Sequence, residues 1–230
     1  MVDVRPGDTS DAPHAPWALA GECLLTRIAD GFGDRELPDG IHRLPGPGMA
    51  VAARYDDSPV GPYLELSIGG PARVGMRPGV CITTMVVNSA ESRIGGRLNW
   101  GFPKELGTLR WVAEGDERAL IWDERGIALR AVPAGPAVPV VIPLVALQRR
   151  SDGPVIIRGR VRGLARMARV EIGVPADDPL AACAGVSRGA VVAGLRLVVD
   201  PARHPKGRTA TFRAPLRAPE PALSWVPSGD

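Results

Sequence analysis

Apolar and polar side chains alternate with a period of two through most of this chain, and that pattern predicts strands. Residues 17–28 supply an entry strand, and residues 49–54 and 62–68 form two more, joined by the turn Asp56-Asp57-Ser58-Pro59. In the last of these, Leu64, Leu66 and Ile68 share one face while Tyr63, Glu65 and Ser67 share the other. Residues 80–87 are apolar on both faces, as a central strand requires. Residues 119–122 and 127–130 flank Asp123-Glu124-Arg125-Gly126, a hairpin signal. Further strands are predicted over 154–162, where Arg158, Arg160 and Arg162 make one face basic, over 170–174 and over 190–199. A solvated face is the default reading of those arginines; a wall for an anionic ligand or a subunit contact is the other.

Helix signals are few. Asn88-Ser89-Ala90-Glu91 opens like a capping box, and Gly95-Gly96 is expected to end that helix. Asp178-Pro179-Leu180 through Gly185 reads as a short helix. Residues 30–48 read as a loop, His42 within it, and the proline-rich residues 133–143 as a connection or covering loop. The fold class is therefore α+β, mainly β, on an antiparallel sheet. Residues 1–15, His14 included, are expected to be an arm or strap, 16–202 a single domain, and 203–230 a Pro/Arg-rich tail holding Leu223 and Trp225.

Composition narrows the function classes. A length of 230 residues suits one well-buried domain, and Gly and Pro together exceed a fifth of the chain, which favours turns and strands. The formal charge is only +3, its 28 bases are offset by 25 acids and aromatics are sparse, so neither nucleic acid nor a membrane surface is an expected partner. Cys23, Cys81 and Cys183 lie far apart with no C-x-x-C spacing, which indicates buried free thiols and no zinc site. The longest apolar stretch, 137–147, is interrupted by Pro139 and Pro143, and residues 1–8 show no leader-like apolar run, so the chain reads as soluble and cytoplasmic.

One cation stands out. Only Lys104 and Lys206 are lysines; every other basic residue is arginine. Arginine stays protonated at any accessible pH, whereas a desolvated lysine amine can lose its proton and attack a carbonyl carbon. Lys104 sits among Trp100, Phe102, Pro103 and Leu106. Its residues alone allow either a nucleophile or a loop cation snorkelling over an apolar turn. Glu65 is likewise open, between a solvated strand residue and a functional acid.

The run Gly96-Arg97, then Phe102-Pro103-Lys104, then Leu106-Gly107 resembles the lysine segment of acetoacetate decarboxylases, and Tyr63-Leu64-Glu65 resembles that family's Tyr-x-Glu. The resemblance covers roughly residues 16–110. It implies a barrel-like sheet, a Schiff base between Lys104 and a small oxo acid, Glu65 beside it, and substrate contacts from Arg97, Phe102 and Tyr63. It implies no cofactor and no metal, and assembly into a homo-oligomer. The chemistry implied is decarboxylation, or the aldol and dehydration chemistry of related enzymes; the alternative is a catalytically silent member that binds a ligand in the same pocket. Three positions depart from the pattern. Glu105 replaces the family's second lysine, Glu22 falls where it has an arginine, and Ala50 where it has a second acid. Arg27 is an alternative source of that arginine.

Overall fold

The computed structural model describes residues 12–33 and 35–205, so most of the expected arm and tail, with Leu223 and Trp225, lies outside the described residues. Among the described residues the strands are β1 (Trp17–Ile28), β2 (His42–Arg43), β3 (Gly48–Asp57), β4 (Tyr63–Val74), β5 (Arg77–Val87), β6 (Lys104–Leu106), β7 (Leu109–Glu114), β8 (Glu117–Trp122), β9 (Ile127–Arg150), β10 (Gly153–Gly173) and β11 (Gly185–Val199), with one α-helix, α1 (Ala90–Trp100), between β5 and β6. They form a single sheet in the order β6-β5-β4-β3-β1-β11-β10-β9-β8-β7, with β2 beside β4. A parallel bridge between Val80 of β5 and Ala146 of β9 joins strands that are far apart in that order. It closes seven of them, β5-β4-β3-β1-β11-β10-β9, into a barrel.

Alternation gives the barrel two cores. The inward set includes Leu19, Cys23, Tyr55, Tyr63, Ile157 and Leu195. The outward set includes Leu24, Ala50, Leu66 and Ile68, which pack with Leu120, Trp122 and Leu129 from the β7-β8-β9 extension of the sheet. This is why the strand at 63–68 is polar on one face and apolar on the other, yet buried on both. All three cysteines are free and buried. No helix among the described residues is long and apolar enough to cross a membrane.

The hairpin at 119–130 is present, with a short 3-10 turn at Asp123–Arg125 and Gly126 in the left-handed region at φ 60°. Elsewhere local signals are overridden. Gly95 and Gly96 do not end α1, which continues to Trp100 and stops at Gly101, φ 72°, whose N–H bonds to the carbonyl of Arg97. A mid-helix glycine costs about 1 kcal/mol relative to alanine. Here both are required by close approach, since a Cβ on Gly95 would lie 2.6 Å from the Trp17 ring and one on Gly96 2.6 Å from Cδ of Lys104. Trp17 in turn meets Trp100 edge to face, 5.1 Å between centroids.

Residues 133–143 are not a loop. They belong to β9, 24 residues long, which pairs with β8 only as far as Ala131. Between Ala131 and the Ala146 bridge one edge of β9 is free, and a proline without an N–H is tolerated on such an edge. The strands expected at 154–162 and 170–174 are one, β10, paired with β9 along almost its whole length. The helix expected after Asp178 is only a 3-10 turn, Ala181–Cys183. The loop at 30–48 carries the two-residue strand β2, with His42 exposed in it.

Candidate active site

Lys104 is not on a turn but opens β6, which lies parallel to β5 with Lys104 opposite Met85. Two bonds fix its backbone: Lys104 N–H donates to the Phe102 carbonyl at 2.8 Å, and Arg97 Nε donates to the Lys104 carbonyl at 2.7 Å. Strand alternation sends Lys104 inward, where it is 3% exposed, and leaves Glu105 exposed. The Glu105 charge therefore faces solvent.

The Lys104 side chain crosses the surface that Gly96 leaves open and ends among oxygens. Nζ donates to Glu65 Oε2 at 2.8 Å and to Ser92 Oγ at 2.9 Å, and lies 5.1 Å from the centre of the Tyr63 ring. Glu65 comes from the middle of β4, paired with Ala53 of β3 and Val87 of β5. Ser92 comes from the first turn of α1, which Ser89 caps by accepting the Ser92 N–H at 3.0 Å. Serine at N3 thus leaves its hydroxyl free to meet the lysine, where the glutamate of a true capping box would turn back on the cap.

Tyr55 and Tyr63 face each other across β3 and β4, with centroids 4.9 Å apart. Burial first, and then the Glu65 charge, pushes both phenols well above their ordinary range. Both stay neutral donors at working pH. A buried ion pair contributes little net stability compared with apolar groups of the same shape, so packing alone does not account for the Lys104–Glu65 pair.

These groups sit at one end of a cavity of about 330 Å³ inside the barrel. Tyr63, Glu65, Phe102 and Lys104 all line it, so four of the five residues singled out by sequence come together. Arg97 does not line it; its guanidinium holds the β6 backbone, a supporting place in contrast to the substrate contact expected. Glu22 and Ala50 face the other way. Glu22 accepts from Arg118 Nε at 3.0 Å, and Ala50 is in the outer core. The cavity-facing neighbours at those levels are Cys23, Leu25, Met49 and Val51. Arg27 is exposed and outside the lining. Ser92 and Tyr55 went unread in the sequence. The serine's signal is its spacing, four residues before Gly96, which puts both on one helix face. Among the described residues no three His, Cys, Asp or Glu side chains gather as a metal site would need.

A sequence model of the family described as acetoacetate decarboxylase matches residues 35–150, half of the chain. The chain belongs to the acetoacetate decarboxylase family. Solved structures share its fold. An acetoacetate decarboxylase from Legionella pneumophila superposes with a TM-score of 0.61 at 17% identity, over 88% of this chain and 92% of the other. The enduracididine biosynthesis enzyme MppR, complexed with pyruvate, gives 0.63 at 17% identity, over 86% and 93%. An acetoacetate decarboxylase-like enzyme from Sphingomonas wittichii RW1 gives 0.59 at 15% identity, over 88% and 97%. Comparison with curated protein sequences finds no match.

The cysteine that lines the cavity, Cys23, is held as its thiol. Burial, and then the Glu22 charge, pushes the Cys23 thiol up to about 12. At pH 8 only about one thiol in ten thousand is then the reactive thiolate. Native protein at pH 8 is expected to resist maleimide at Cys23 for hours and to react within minutes in denaturant; rapid native labelling would contradict the buried assignment.

Proposed function

We propose that this chain is a Schiff-base carbon–carbon lyase in which Lys104 Nζ condenses with the ketone of an oxo acid. The observation that carries this reading is the buried Lys104–Glu65 contact, 2.8 Å long, in the wall of a cavity. The fold neighbour that binds pyruvate, itself an oxo acid, supports the substrate class.

Along the 2.8 Å bond Glu65 takes the ammonium proton, which frees the amine lone pair to attack the carbonyl carbon. The carbinolamine hydroxyl leaves as water, taking a proton from Glu65, and the nitrogen lone pair forms the iminium. Where the carboxylate lies on the carbon next to the carbonyl, as in a 3-oxo acid, that carbon–carboxylate bond then breaks, its electrons move to the nitrogen, carbon dioxide departs, and an enamine remains. A proton added to the enamine carbon restores the iminium, and water releases the ketone and the amine. In the aldol variant the enamine carbon attacks an aldehyde instead. Ser92 Oγ holds Nζ on the Glu65 side, and the neutral phenols of Tyr55 and Tyr63 offer protons to oxygen atoms of the bound molecule.

Both variants pass through the enamine, so both exchange protons on the carbon next to the carbonyl. Followed by proton NMR in deuterium oxide, the wild type is expected to catalyse that exchange in an added oxo acid. Glu65→Gln, isosteric but unable to take the proton, is expected to slow it by about 10²- to 10⁴-fold. Exchange at background rate in the wild type would leave a ligand-binding member of the family as the reading.

A further inference from the structure

We infer that the molecule this site takes is an apolar carbonyl compound, a ketone or oxo acid whose chain beyond the carbonyl is hydrocarbon. This rests on reading Lys104 as the carbonyl-binding residue. The lining of the cavity is strongly divided. Tyr55, Tyr63, Glu65, Ser67 and Lys104 make up a polar end. Away from them the wall is aliphatic, contributed by inward positions of β9, β10 and β11 such as Ile142, Leu144, Ile157, Val161, Leu195 and Leu197.

The volume of about 330 Å³ lies at the lower end of pockets that enclose drug-sized ligands, still more than a three- or four-carbon acid fills. A short oxo acid would leave most of this wall facing either water or empty space, and apolar cavities of this kind do not hold water well. Charge argues the same way. Lys104 is already neutralised by Glu65, and the one guanidinium on the cavity's margin, Arg158, is exposed and also borders a cleft with Arg77 and Arg203 on the outer face of β10. A carboxylate placed along the hydrocarbon wall would be buried without a partner. The register carries the wall away from the amine: Val80, which bridges to Ala146 beside Leu144, is five residues along β5 from Met85, opposite Lys104, roughly 16 Å at strand rise. The far rim, Ile142 and Val145 of β9, is itself apolar and partly exposed, as the mouth for a hydrocarbon chain would be.

Two series test this on the full chain. The first is 2-oxo acids from pyruvate to 2-oxodecanoate, trapped on Lys104 with borohydride and read by mass. The second is unreactive 2-alkanols from 2-butanol to 2-nonanol, read by fluorescence of Trp17 and Trp100, which line the cavity. In both, half-saturation is expected to fall three- to fourfold per added methylene until the cavity is full, the factor set by about 0.8 kcal/mol per buried CH₂. Leu197→Asp is expected to flatten both slopes. Chain-length dependence in the alcohols with no imine from any acid would uphold the apolar ligand and overturn the Schiff-base reading. Imine formation best with pyruvate, and no slope in either series, would overturn the inference and leave that reading standing.

Discussion

Lys104→Met is expected to abolish imine formation and to destabilise the protein by about 3–5 kcal/mol, the usual result of removing one partner from a buried ion pair. The Glu65 carboxylate is left inside the barrel, its side chain only 12% exposed, with its 2.8 Å cation gone. The phenol of Tyr55 and solvent entering from the mouth relieve part of that loss. The double variant Lys104→Met with Glu65→Gln removes both charges at nearly constant shape, so it is expected to recover most of the stability and none of the chemistry. Urea unfolding of the wild type and the two variants measures this. A single Lys104→Met variant as stable as the wild type would mean that the pair is not desolvated, and the geometry argued for catalysis would fail with it.

Gly96→Ala is expected to leave the fold intact and lower turnover about 100-fold. Its Cβ would stand 2.6 Å from Cδ, 2.7 Å from Cε and 3.4 Å from Nζ of Lys104, so the flexible side chain must move and α1 need not. A shift of about 1 Å in a reacting group is enough for a loss of that size. Replacing a mid-helix glycine by alanine gains about 0.5–1 kcal/mol, which offsets the crowding. A melting curve close to wild type beside a collapsed exchange rate is the expected pair of results. Unchanged exchange would show that Lys104 works from some other position.

What the sequence could reveal here depended on how local the determining physics is. The hairpin around Gly126 and the two-faced strand at 63–68 were legible because turn chemistry and alternation act within a few residues. The role of Gly95 and Gly96 was not, because a local rule reads glycine as a helix stop, while the fold uses both to admit Trp17 and Lys104. The prolines of β9 misled for a similar reason, since only the topology exposes the free edge that tolerates them. In the site, Lys104, Glu65, Tyr63 and Phe102 were legible through the family pattern. Tyr55 joins the site through the β3–β4 register and Ser92 meets the amine through the docking of α1; the spacing of Ser92 from Gly96 marks a shared helix face but not what that face packs against. Glu22 and Ala50 were placed by ungapped counting, and in a strand an offset of one residue exchanges the faces. Ala50 lies in the outer core and Glu22 pairs with Arg118, and neither lines the cavity.

The most direct test is borohydride reduction of the wild type in the presence of oxo acids of short and long chain, followed by intact mass and peptide mapping. The chain has only two lysines, Lys104 and Lys206, so the adduct can be assigned without ambiguity. One adduct per chain, on the peptide that holds Lys104 and absent from Lys104→Met, is the predicted result. A folded protein that gives no adduct with any member of the series, or gives one on Lys206 alone, would contradict the Schiff-base account.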